Sequence, residues 1–199
     1  FYASHPAAIL AFQAGGQAVW GGILGGMVIG AIYARVRGYR VGRILDLGAV
    51  GLILGQAIGR IGDIINGEHL STTTNLPWGF VYSHPGSPSF QYYGLTASHP
   101  VIAYEMIWNM VVLAVIWKLR GRLAPPGMLF ALYLMLYSLG RFLIQFLRLD
   151  KVWFAGLTEA HIIALVVLAI TVPMLAYRTR WVRAGTGPHA PPRPTRSRR

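Results

Sequence analysis

Five apolar stretches, each about the length of a bilayer-spanning helix, constrain this chain more than any other feature. They run roughly from Gly15 to Tyr33, Ile44 to Ile61, Pro100 to Trp117, Met128 to Phe146 and Glu159 to Tyr177. In lipid, each backbone N–H and C=O must be satisfied within its own segment, which leaves the helix as the natural solution. The expected fold class is therefore all-α, a polytopic transmembrane helix bundle with five spans in this chain. Charged residues are 12% of the sequence, where a soluble domain carries about 25%. There is no cysteine, which excludes a disulfide framework and a thiolate metal site; no metal and no cofactor are expected.

The net charge of +12 would point to nucleic acid in a soluble protein. Here the basic residues flank the apolar spans, and no nucleic-acid partner is expected. Arg35, Arg37, Arg40 and Arg43 form one basic loop, Lys118, Arg120 and Arg122 a second, and seven arginines lie in the tail from Arg178 onward. All three groups fall on one face, which the positive-inside rule makes cytoplasmic. The N-terminus is then outside and the C-terminus inside. Residues 1–178 are read as a membrane-embedded helical domain with an outer-face loop at 62–98, and 179–199 as a basic disordered cytoplasmic tail. Residues 1–14 are read as a lead-in at the interface. The 62–98 segment holds no Lys or Arg, and its aromatics suit the outer interface.

Four cations remain unexplained by topology: Arg60, Arg141, Arg148 and Lys151. Arg60 belongs to Gly51–Glu68, GLILGQAIGRIGDIINGE, in which glycines recur at 51, 55 and 59 and Asp63, Asn66 and Glu68 follow. Glycines one turn apart let another backbone approach closely. In the fourth span Tyr133, Tyr137, Arg141, Gln145 and Arg148 fall on one helix face. The third opens with His99 and Pro100, with Pro100 placed in its first turn, and Tyr104 and Glu105 follow. Glu105 either neutralises an arginine or takes part in chemistry, the first being favoured. Such a polar stripe must face a cavity or partner helices. Two guanidinium groups in a low-dielectric site suit a phosphate, and in a membrane that phosphate is a phospholipid head group. Glu68 and Glu105 are the expected compensation for Arg60 and Arg141 in the empty state, and Arg148 is expected nearer the surface.

These residues resemble the prolipoprotein diacylglyceryl transferase family. Its signature, approximately G-R-x-G-N-x-x-N-x-E, is matched by Gly59 to Glu68, with Asp63 in the Asn position. His99-Pro100 and Tyr104-Glu105 look like the family's H-P-x-x-x-Y-E. Tyr137, Arg141-Phe142, Phe146, Arg148 and Asp150 look like its Y-x-x-x-R-F-x-x-E-F-x-R-x-D. The resemblance implies seven spans, of which these five are the last, and so more sequence before Phe1. It implies transfer of the diacylglyceryl group of phosphatidylglycerol to the lipobox cysteine thiol of prolipoproteins, in a bacterial inner membrane. The partners would be phosphatidylglycerol, the prolipoprotein signal-peptide region and membrane lipids. Arg60 and Arg141 would be catalytic, the first holding the lipid phosphate and the second stabilising the departing one. Asp63, Asn66, Glu68, Tyr104, Glu105, Tyr137 and Arg148 would complete the phosphatidylglycerol site.

The chain departs from the family at three places. Trp20 stands where the family has a His, Gln145 where it has a Glu, and Ser71 where it has a Gly. The base that deprotonates the thiol must then be another group, with His69 and His99 the candidates and Glu105 a further option. A second reading, carried by Trp20 and Gln145, is a catalytically impaired homologue that binds phospholipid or lipoprotein. A third is a channel or transporter, disfavoured because no internal repeat or paired discontinuous helices are visible.

Overall fold

The computed structural model describes residues 19–182, with side chains from residue 25. The expectations for the lead-in, the start of the first span, the Trp20 side chain and the tail beyond residue 182 fall outside them. The chain divides into two units, Phe1–Val41 and Gly42–Arg199. The first carries α1 (Val19–Val36). Its last turn closes through Tyr39 N–H donating to Ala34 O at 2.8 Å, with Gly38 at φ +74°, a conformation that suits glycine.

The second unit holds α2 (Val41–Asn66), α3 (Pro88–Tyr93), α4 (Val101–Leu119), α5 (Met128–Gln145) and α6 (Glu159–Arg178). Of these α2, α4, α5 and α6 are long and apolar enough to cross a membrane, and Gly25–Val36 of α1 forms a shorter apolar run. The protein is a helical, multi-pass membrane protein. Two small ribbons interrupt the helical pattern. β1 (Leu123–Ala124) pairs antiparallel with β4 (Arg180–Trp181), and β2 (Val152–Phe154) with β3 (Leu157–Thr158). The first ribbon ties residues 180 and 181, where the sequence suggested disorder, to the turn before α5.

The buried stripe of α2 is Ala49, Ile53 and Ala57, and through Ala49 and Ile53 it joins Val112 and Ile116 of α4 and Leu129, Phe130 and Tyr133 of α5. The glycines at 51, 55 and 59 face the other way. A Cβ placed on any of them meets no atom among the described residues. Close approach occurs elsewhere. A Cβ on Gly42 would run into the Pro126 carbonyl, and one on Gly140 into the Trp108 indole.

The start of α5 is held by α2. Asp46 Oδ2 accepts from Gly127 N–H at 2.8 Å and Oδ1 from Phe130 N–H at 2.9 Å, satisfying donors that a helix start leaves without intrahelical partners. Because α2 and α5 leave this clamp in the same direction, residues equally far along them reach equal heights. Arg60 is 14 residues beyond Asp46 and Arg141 is 14 beyond Gly127, about 21 Å at the helical rise.

Candidate functional site

The far end of α2 stays helical five residues beyond the expected Ile61, so Arg60, Asp63 and Asn66 all lie on helix. Gly67, at φ +64°, then turns the chain. A Cβ there would meet both Ser87 Oγ and the Tyr82 ring, so glycine is required for conformation and for space. Ser89 donates to Gly67 O through N–H at 3.1 Å and Oγ at 2.7 Å, which clamps the loop after α2 onto the helix end. Residues 70–72 next thread between the end of α5 and the start of α4. Leu149 N–H donates to Leu70 O at 3.1 Å, Thr72 N–H to Leu147 O at 2.8 Å and His99 N–H to Thr72 O at 3.0 Å. Ser71, at the position of the family glycine, uses its hydroxyl to reach His99 O at 2.6 Å. Pro100 proves to be the cap residue before α4 rather than part of its first turn.

This threading brings α2, α4, α5 and the loop to one point, and Glu105 occupies it. The Glu105 side chain is 5% exposed and forms an ion pair with Arg60 through Oε2 and with Arg141 through Oε1. Arg148 Nη1 lies 3.8 Å from Oε1. Arg60 also donates to Asp63 Oδ2 at 2.7 Å. Arg148 donates through Nε to Asp150 Oδ2 at 2.9 Å, and Gln145 Nε2 donates to the same oxygen at 2.8 Å. Three arginines thus meet three carboxylates, and each charge has an opposite neighbour, the condition under which buried charge is tolerated.

The arrangement corrects two expectations. Arg148 is not near the surface. Its side chain is 4% exposed, because the chain turns back after Gln145 and packs residues 147–149 against the loop. Glu68 does not compensate the arginines; the left-handed turn at Gly67 directs it outward, where it accepts from Asn66 at 2.8 Å and both side chains are exposed. Asp63 and Asp150 take its place. Tyr104 is likewise engaged elsewhere, accepting from Trp78 Nε1 at 2.9 Å, with His99 Nδ1 3.5 Å from its hydroxyl. Tyr137 stays with the cluster, lining with Glu105, Asn109 and Arg141 a narrow cleft.

His69 sits between two members of the cluster. Arg148 Nη2 is 3.0 Å from its Nδ1, and Nε2 lies 3.5 Å from Asp63 Oδ2. Arginine has no acceptor, so Nδ1 receives the hydrogen bond and Nε2 carries the proton. Burial, followed by the charge of Arg148, lowers the His69 pKa below its ordinary value, favouring the neutral ring. For Asp150, burial works against the carboxylate. The hydrogen bonds from Arg148 and Gln145 outweigh it and hold the pKa below the ordinary range. His69 and His99 together line a second narrow cleft with Phe80 and Tyr82.

A family model for prolipoprotein diacylglyceryl transferase matches residues 1–177. The chain belongs to that family. Among curated relatives, the phosphatidylglycerol–prolipoprotein diacylglyceryl transferase of Gloeobacter violaceus is 40% identical over 79% of this chain and 59% of its own length. The enzymes of that name from a Nostoc species and Clostridioides difficile are 38% and 35% identical, over 88% and 83% of this chain and 64% and 62% of theirs. The chain therefore spans about three-fifths of the relatives it matches. With the prolipoprotein diacylglyceryl transferase motifs placed in space, the signature, the Tyr-Glu pair and the Arg-Phe segment converge through Glu105.

Sequence reasoning missed Asp46 and Asn109. Asn109 carried a signal, since it follows Glu105 by one helical turn on an otherwise apolar span. Asp46 carried a weaker one, as an acidic residue directly after a basic loop.

Proposed function

We propose that this protein transfers the diacylglyceryl group of phosphatidylglycerol to the lipobox cysteine thiol of prolipoproteins. The observation that carries this reading is the Arg60–Glu105–Arg141 bridge. Two guanidinium groups converge on one carboxylate, and a phosphate entering beside them offers the paired acceptors that Arg forks match. The cysteine sulfur attacks the glyceryl carbon that bears the phosphate, a C–S bond forms, and the C–O bond to phosphate breaks. The electron pair leaves on the phosphate oxygen of glycerol phosphate, where Arg141 stabilises the growing charge while Arg60 holds the group.

Asp63, Glu105, Tyr137 and Arg148 shape the head-group site, and Asn66, Glu68 and Tyr104 stand at its outer rim. The thiol proton is assigned to His99, because the Nδ1 lone pair of His69 is already taken by Arg148. His69 then acts as a positioning residue between Asp63 and Arg148. The site opens to the outer face of a bacterial inner membrane, with the C-terminus cytoplasmic and the signal-peptide region of the substrate entering from the lipid.

The test reconstitutes the full-length protein in phosphatidylglycerol vesicles with a lipobox peptide and weighs the peptide. A mass gain of one diacylglyceryl group with release of glycerol phosphate is expected, and loss of both on Arg60→Ala or Arg141→Ala. Phosphatidylglycerol binding without any thioether product would reject transfer in favour of a binding homologue.

A further inference from the structure

One helical turn inward from Glu105, about 6 Å along α4, stands a polar side chain that the charge cluster does not use. Asn109 is 2% exposed. It lines the cleft with Glu105, Tyr137 and Arg141, and its Nδ2 meets no acceptor among the described residues. Trp108 closes one side of that cleft, fixed by its Nε1 donating to Leu136 O at 2.9 Å and by its packing against Gly140. An amide donor buried without an acceptor is costly unless something else supplies one.

We propose that Asn109 donates to an acyl ester carbonyl of the bound glycerophospholipid, so that the site reads the lipid at two depths. This deepens, and rests on, the diacylglyceryl-transfer reading. A phosphate is drawn to the arginines and the acyl chains offer no acceptor. The ester carbonyls are the neutral acceptors a few bonds below the phosphate, on the side toward the membrane centre. They stay on the group that is transferred, so the contact persists from bound lipid to thioether product. It holds the glyceryl carbon against recoil while the bond to phosphate breaks.

The experiment compares phosphatidylglycerol with ester-linked chains and the same lipid with ether-linked chains, which keep the shape and lack the carbonyls. The full-length protein is expected to use the diester about three- to tenfold better in kcat/KM. Asn109→Leu should fall to the diether rate on both lipids. A wild-type protein indifferent to the linkage overturns the proposal, as does an Asn109→Leu variant that keeps the preference or loses equally on both. If the variant does not fold, the wild-type ratio alone decides. Should the wild-type protein transfer from neither lipid, the transfer reading fails, and retention of the two lipids in native mass spectra decides the rest. Preferential retention of the diester supports the contact, and equal retention overturns it.

Discussion

Replacing Glu105 by glutamine keeps the side chain's shape and removes the one charge that Arg60 and Arg141 share. Three guanidinium groups would then face two carboxylates, Asp63 and Asp150, and a buried cation left without its partner costs about 3–5 kcal/mol. The Glu105→Gln variant should therefore melt well below the parent in neutral detergent. Added phosphatidylglycerol should raise its melting temperature more than it raises the parent's, since an anion in the cleft replaces the missing charge. Equal shifts for the two proteins would mean that no phosphate enters beside the arginines. Arg148 belongs to the same balance: helix phase put it on the face of Arg141, and only its depth was misjudged, from its place at the end of the span. The residue lies past the end of α5, where the turn back to the loop decides its environment and an extrapolated helix does not.

At the scale of elements, the two arginines meet because α2 and α5 are locked at their starts. Asp46 accepts two N–H donors from the first turn of α5, and the equal run of residues beyond that clamp brings Arg60 and Arg141 to one height. Asp46→Ala should cost about 1–2 kcal/mol as a lost helix cap, and it should also slow transfer, although the residue is a membrane's half-thickness or more from the cluster. Asp46→Asn, which keeps one carbonyl acceptor, should lie between. Full activity in Asp46→Ala with a lowered melting temperature would confine the clamp to stability. Much at this scale was readable in advance, because an apolar run of the right length has one solution in lipid. The extension of α2 through Asn66 was not, since the polar residues after Ile61 find their partners on other elements. The threading of residues 70–72 left no local pattern either; its hydrogen bonds join positions far apart in the chain. The glycines at 51, 55 and 59 share a face that no described residue covers. Spacing shows which residues share a face, and only packing shows whether anything covers that face.

For the molecule as a whole, the two ends of the spans differ in charge and in construction. Arg43 at the start of α2, Lys118 at the end of α4 and Arg178 at the end of α6 lie on one side, where the β1–β4 ribbon binds the tail to the turn before α5. The opposite side carries the loop after α2, α3 and the balanced cluster of three arginines and three carboxylates. Positive charge is retained on the cytoplasmic face during insertion, so the loop side should be outside. The chain has no cysteine, which makes each introduced thiol a unique label. Tyr92→Cys and Leu95→Cys, at exposed positions of the loop, should react with an impermeant maleimide in intact spheroplasts. Tyr177→Cys, at the exposed end of α6, should react after the membrane is opened. The reverse pattern would place the arginine cluster beyond the reach of an exported lipobox cysteine, and diacylglyceryl transfer would fall with the topology.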